Sequence, residues 1–408
     1  MTNPAGKSFL SYKRSHKSEL EMIINAQREA GIPTWQDISD LANEPTEASL
    51  ISTIKNNSLI SNAIIWVTPD IAESTYIQTI EIPEIYKRFN ANDGFFVIPV
   101  AAGGLGYKEA SVLASKNLGI DDFTDWNWEK IESKELTASE AKRLAIIILK
   151  RRVENLHVYL PLDEPIRISV NTVTGGNISP NTHLVMDWTH RFDGKIMKVI
   201  AWDQDLFPAL KSLAKVLEEK APRRLIEFSG KCSLPIAFAL GSVFLRPRGI
   251  PIFWNQMFSP LNSEIWGLDI EHKRIDFAVE TKTQAVESED IALLISITND
   301  VEQAVKRSFN QDERLPFRVI LRVKNISPHL SAEEAVNLAI NIVEATKLAR
   351  TNHRVNGHLH IFMAGPVGLA IMIGQLLNTF GQVHLYDHVA SGNIGDYKQA
   401  ITLTPSNI

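Results

Sequence analysis

The sequence has a single cysteine, Cys232, in 408 residues. One thiol cannot build an internal disulfide framework or a multi-cysteine zinc site, so a reducing, cytoplasmic location is expected and no metal is. Long apolar runs are missing as well. A stretch such as residues 144–149 is far too short to span a bilayer, and residues 1–7 are polar, without the apolar core of a signal peptide, so no membrane partner is expected. Positive charge is not in excess either. With 42 Lys and Arg against 47 Asp and Glu the formal net charge is −5, which argues against a surface that neutralises many phosphates of a long nucleic acid. A small anionic ligand needs only a few cations in one pocket and stays compatible with this balance.

What the chain does have is 44% hydrophobic and 22% charged residues, an ordinary globular composition with length for two or three domains. From residue 8 to about 131, short apolar runs alternate with amphipathic stretches, the pattern of a parallel α/β sheet. Strands are expected at 8–12, 32–35, 63–67 and 95–100, with a weaker fifth near Asp122, and helices at 18–30, 49–57 and 107–117. Thr137 and Glu140 form a capping box, so a helix is expected from there to about Asn155, with Lys150, Arg151 and Arg152 suiting its C-terminal half. It is expected as the last helix of the first domain, continuing into the connector at 136–158, between a first domain at 1–135 and a second at 159–408.

The second region contains an internal repeat. The ten residues from Leu225 line up with those from His360, which sets Gly230 opposite Gly365, and each copy reads as strand, glycine turn, helix. The seven residues from Gly249 match those from Gly381, which sets Trp254 opposite Tyr386. Two related α/β halves, 159–285 and 286–408, are therefore expected around a shared crevice, because open parallel sheets bind ligands at the carboxyl ends of their strands.

In the first domain, Phe9, Tyr12 and Arg14 close one strand, Trp35 and Asp37 close a second, and Ser74 follows a third. They offer ring faces for a nucleobase and a cation for a pyrophosphate. The same residues suit a packed core for Phe9 and Trp35 and a solvated Arg14. Pro83 must restart a helix or kink one, which puts Glu84 near the break, and the spacing of Glu81 and Glu84 stacks them on one helical face. A lone carboxylate suffices for one glycosidic substrate: the nicotinamide of oxidised NAD leaves as a neutral amide, and only the cationic ribosyl centre needs stabilising.

Phe9 to Tyr12, the loop 31–37, Ile64 to Thr68 and a glutamate followed by an aliphatic residue together resemble a TIR domain over roughly the first third of the chain. The resemblance implies a flavodoxin-like parallel sheet, NAD as substrate rather than cofactor, and contacts to it from Phe9, Tyr12, Arg14, Trp35, Asp37 and Ser74. It also implies a catalytic glutamate four residues after a tryptophan. Ile80 stands in the tryptophan position and Glu84-Ile85 completes the pattern, so Glu84 is the catalytic expectation and Glu81 the alternative. The loop 36–44 would by the same resemblance contact a neighbouring copy.

In the second region the turn Ser229, Gly230, Lys231, Cys232 joins a strand to a helix and could meet a phosphate through backbone amides, hydroxyls and a lysine, while Gly365 and Pro366 offer close backbone approach. Trp254 and Tyr386 could stack on bases, although matched aromatics also suit a core, and Cys232 suits a small packed thiol. These segments, with Met186 to Thr189 and the run from Ala364 to His388, resemble the SAVED domain from about residue 161 to the end. That resemblance implies a pseudo-twofold pair of Rossmann-like CARF units that recognise a cyclic oligonucleotide, such as a tri-adenylate, in antiphage signalling (CBASS). The combined expectation is an NAD glycohydrolase switched on by the cyclic oligonucleotide through head-to-tail self-association. The alternatives are a non-enzymatic docking module under the same sensor and a hydrolase of the cyclic signal.

Overall fold

Phe9 and Leu10 lie in a strand flanked by polar residues, and that strand becomes the inner member of a parallel sheet. The computed structural model describes residues 1–35, 47–118, 126–175, 179, 181–259, 261–272, 274, 277–310, 314–324, 330–391 and 394–404. Its first sheet holds β1 (Lys7–Ser11), β2 (Thr34–Trp35), β3 (Ile60–Val67), β4 (Phe96–Ala101) and β5 (Glu129–Lys130) in the order β2-β1-β3-β4-β5. All four pairings are parallel. β3 is buried along its whole length, as a strand covered on both faces must be. Helices α1 (Lys17–Glu29), α2 (Glu47–Lys55), α3 (Ile82–Asn90) and α4 (Tyr107–Leu118) alternate with these strands. The order is one of the common doubly wound ones, with its topological switch between β1 and β3. The fifth strand lies at Glu129–Lys130 rather than near Asp122, which falls outside the described residues.

The capping box forms as expected: Glu140 N–H donates to Thr137 Oγ1 at 3.3 Å and Thr137 N–H donates to Glu140 Oε2 at 3.0 Å, opening α5 (Ala138–Tyr159). Arg152, in the C-terminal half of this helix, is fully buried and donates to the carbonyls of Ala5, Gly6 and His183 and to Ser61 Oγ. Burial pushes its pKa down to about 9. Accordingly α5 clusters with the sheet in a first unit comprising Met1–Ser169, Ile178–Asp187 and Lys215–Ala221, whereas Val170–Asn177, Trp188–Ala214 and Pro222–Ile408 form a second. β6 (Ile166–Asn171) crosses from the first unit to the second, and β7 (Leu184–Asp187) belongs to the first.

The second unit carries the duplication. After the small hairpin of β8 (Phe192–Asp193) and β9 (Ile196–Met197), one copy runs β10 (Ile226–Lys231), then helix Leu234–Val243, then β11 (Ile252–Ser259) and β12 (Asn262–Trp266). A six-stranded sheet follows in the order β13-β15-β14-β16-β17-β18, built from β13 (Val279–Thr283), β14 (Ile291–Ser296), β15 (Val319–Lys324), β16 (Leu359–Ala364), β17 (Val383–Ser391) and β18 (Ile394–Leu403). Its end repeats the first copy: β16, helix Val367–Gly374, β17 and β18. Both copies pair their first two strands in parallel and their last two antiparallel.

The ladder shifts the sequence alignment of the copies by two residues in their first strands and by one in their second. Ile226 faces Ile252 and Phe228 faces Trp254, just as Leu359 faces Val383 and Ile361 faces Leu385. Phe228 therefore corresponds to Ile361 and Trp254 to Leu385, not to Tyr386. The expected match of Gly249 with Gly381 is what the backbone shows, both residues having φ +73°. The two helices cross at reciprocal glycines, where a Cβ on Gly241 would overlap the Ile371 carbonyl and one on Gly374 would overlap the Phe238 carbonyl. One spacing in sequence relates both pairs, as a pseudo-twofold axis between the helices requires.

Candidate functional site

In the first unit a cavity of about 490 Å³ opens at the carboxyl ends of β1, β2 and β3, where the doubly wound order switches direction. Tyr12 and Arg14 reach it from β1, Trp35 from β2, and Ser74, Tyr76 and Glu81 from the segment after β3. Its mouth is fixed by a charged cluster. Asp70 accepts from Thr68 Oγ1 at 2.7 Å and Lys13 Nζ at 2.8 Å, with His16 Nε2 at 3.0 Å, and Lys13 also bonds Glu73. Burial pushes the Asp70 carboxyl upward, but these hydrogen bonds and the His16 charge outweigh it and hold it well below the usual range.

Glu81 reaches the cavity because of Pro83. A proline has no N–H for the carbonyl four residues back and its ring crowds that carbonyl, so the turn before it widens. Ile77–Glu81 is a π-helical turn in which Ile82 N–H donates to the Ile77 carbonyl, five residues back. Glu81 ends this widened turn and Glu84 lies in the ordinary helical turn after it, and the two side chains have different surroundings. Glu81 lines the cavity and accepts from Ser11 Oγ at 2.5 Å. Glu84, the expected catalytic residue, is instead buried away from the cavity lining, 2.7 Å from Lys87 Nζ and 3.5 Å from Lys55 Nζ. Burial raises its carboxyl and the two lysines more than reverse that, so it is held ionised as a structural ion pair. Phe9 is also outside the cavity, buried in the sheet core with its ring 5.2 Å from that of Trp35. Asp37 and the loop 36–44 lie outside the described residues.

In the second unit the backbone of the expected ligand turns is closely packed, while the Lys231 side chain is exposed. Gly230, at φ +122°, sits so near Val170 that a Cβ would lie 2.9 Å from its nitrogen, and Lys231 N–H donates to Asn171 Oδ1 at 3.1 Å. Burial pushes the Cys232 thiol up to about 12, which makes it unreactive. Trp254 is core, Gly365 packs against Met363 and Ile297, and Pro366 caps the helix Val367–Gly374. Tyr386 stacks on Phe362 with ring centres 4.3 Å apart and bonds His360 Nδ1 at 2.9 Å. None of these residues, nor Ser229, lines a described cavity of this unit.

A cavity of about 380 Å³ does open beside the first of those turns. Ser233 and Pro235 form one wall, Lys195 and Lys198 from the β8–β9 hairpin and its exit another, and Asp387, Lys398 and Ile401 from β17 and β18 the third. Burial pushes the Asp387 carboxyl up to about 6, against the His388 N–H and the Lys195 charge. Sequence reading does not bring these lysines together, because Lys398 lies 203 residues after Lys195 and 200 after Lys198. Among the described residues no group of three or more His, Cys, Asp or Glu could hold a metal, and no helix is long and apolar enough to cross a membrane.

The histidines set a pH dependence. Burial holds His360 and His183 down at about 4, well under the ordinary value near 6.5. Between those values the unfolded chain binds more protons than the folded one, so stability falls as pH drops from about 6.5 toward 4. Asp387, raised in the fold, works in the opposite direction. The net loss expected at pH 5 relative to pH 7.5 is on the order of 2 kcal/mol, read as a lower urea midpoint; an unchanged midpoint would contradict the burial of these rings.

Residues 209–403 match the family model described as the SMODS-associated and fused to various effectors sensor domain, SAVED. A curated relative, CD-NTase-associated protein 4 of an Acinetobacter species, is 24% identical over 182 residues, which span 44% of this chain but only 37% of that protein. A solved structure of the Acinetobacter baumannii Cap4 SAVED/CARF-domain containing receptor with the cyclic trinucleotide 3'3'3'-cAAA superposes with a TM-score of 0.51 at 14% identity, over 95% of this chain and 98% of that one. The Moraxella osloensis Cap4 receptor gives 0.44 at 16% identity, over 96% and 100%. At 14% identity the likeness to the Acinetobacter baumannii receptor is one of fold. The duplicated strand–helix–hairpin copies fall inside the matched stretch, so residues 209–403 of this chain are similar to a SAVED sensor domain in sequence and in fold.

Proposed function

We propose that the chain is an NAD glycohydrolase under cyclic-oligonucleotide control, an effector of CBASS in which a TIR-like first unit does the chemistry and the SAVED domain reads the signal. One observation carries the enzymatic half of this reading: the Glu81 carboxylate, held by Ser11, on the wall of an aromatic-lined cavity at the sheet's switch point. Trp35, Tyr12 and Tyr76 offer stacking faces to the bases and Arg14 a cation to the pyrophosphate. The glycosidic bond then breaks with its electron pair passing to the nicotinamide nitrogen, and Glu81 stabilises the oxocarbenium-like ribosyl centre left behind. Water adds to that carbon and gives up its proton, leaving ADP-ribose. For the sensor, the solved receptor that shares this fold was captured with a cyclic trinucleotide, which supports that class of activator. Ligand-bound copies would stack head to tail, a heterologous contact that does not close.

The test is nicotinamide release by the purified chain with and without 3'3'3'-cAAA and other cyclic oligonucleotides. Turnover should rise at least about 100-fold with the matching ring. Equal rates in both conditions remove the switch, and NAD left uncut under every ring removes the enzyme.

A further inference from the structure

The two copies of the SAVED repeat close the same crevice differently. In the first, Gly368 at the start of helix Val367–Gly374 meets the β11–β12 hairpin: a Cβ on it would lie 2.8 Å from the Trp266 ring and 3.1 Å from the Trp254 ring, and its N–H donates to Gln256 Oε1 at 3.1 Å. Trp254 faces Trp266 across that hairpin, and Gln256 faces Glu264. The pseudo-twofold counterpart is the start of helix Leu234–Val243 against the β17–β18 hairpin, where Leu385 faces Ile401 and Asp387 faces Lys398. Two indoles are thus replaced by two aliphatic side chains, and Gly368 by Pro235, which has no N–H to offer Asp387. The second crevice is the cavity of about 380 Å³.

Its chemistry differs from that of a packing defect. Lys195 and Lys398 line it and make no ion pair among the described residues. Ser233 caps the helix beside it without a side-chain cap bond, so its hydroxyl is not used there. Ile200 on the rim has φ +63°, a costly conformation for a β-branched residue and one that concentrates at ligand clamps.

We propose that this cavity takes one purine nucleotide of the activating ring, with the bicyclic base in the volume that indoles fill in the other copy and its phosphate at Lys195 and Lys398. Asp387 accepts from the base's exocyclic amine. This inference rests on the SAVED domain binding a cyclic oligonucleotide, and it specifies where one base goes and what kind of base it is.

Ile401→Trp in the full chain restores an indole to the cavity, and should weaken 3'3'3'-cAAA binding roughly 10- to 100-fold, the worth of one stacked base. The surface double variant Lys195→Ala, Lys398→Ala disturbs no core and should weaken binding and flatten its salt dependence. A photoreactive 8-azidoadenine ring of the same size should crosslink to residues of the cavity. Unchanged affinity in both variants, or crosslinks confined to other segments, overturns the subsite while leaving the sensor reading intact. A wild-type chain that binds no cyclic oligonucleotide overturns both.

Discussion

Replacing Glu81 by glutamine should lower NAD cleavage by roughly 10²–10³-fold, the scale of losing one aligned electrostatic partner of a developing charge. Glutamine keeps the shape and a bond from Ser11 but removes the negative charge opposite the ribosyl centre. The fold should tolerate it, since the Glu81 side chain is part-exposed at the cavity wall rather than buried in the core. Glu84→Gln should behave differently. It dissolves ion pairs to Lys55 and Lys87, whose ammonium groups are largely exposed, so the cost should be about 1 kcal/mol of stability, with turnover near wild type. The two variants are to be compared by nicotinamide release in the presence of activator and by thermal unfolding. If Glu84→Gln alone silences the enzyme, the cavity at the switch point is not where the chemistry happens.

Gly241→Val should be the most damaging single change in the second unit. The helices Leu234–Val243 and Val367–Gly374 approach so closely that even a methyl group on Gly241 has no space beside the Ile371 carbonyl, and Gly374 lies against it from the other side. Backbone carbonyls cannot rotate away as side-chain ends can, so the helices must separate and open the core between the two copies. We expect a loss of about 3 kcal/mol or more, at the upper end for overpacking. Gly249→Ala is the comparison: its φ of +73° strains any side chain, but the space around it is open, and about 1 kcal/mol is expected. Similar losses for both in thermal unfolding would mean that the helix crossing is not tightly packed.

Much of the framework was legible in the sequence because it rests on local patterns. Four of the five strands of the first sheet, the capping box at Thr137 and the repeat centred on paired glycine turns each leave a signature within a few residues. The register of that repeat was not legible: Gly230 and Gly365 look alike, yet one sits inside a strand and the other beyond its end, and only the ladder distinguishes them. The placing of Glu81 against the cavity was not legible for a related reason. A π-helical turn has no composition of its own, so the widened turn that ends at Glu81 on the cavity wall leaves no mark in the residue spacing. The second cavity was hidden more deeply, since it is made by what Leu385 and Ile401 do not fill and by lysines that meet only after folding.

That inequality between the copies gives the sensor a polarity. A duplicated domain with two equivalent clefts would present the same face twice, and matching faces pair once and stop. With one cleft filled by tryptophan and its twin open, the two faces of the duplicated domain differ, and on the proposed reading a ligand seated in the open one would mark a front distinct from the back.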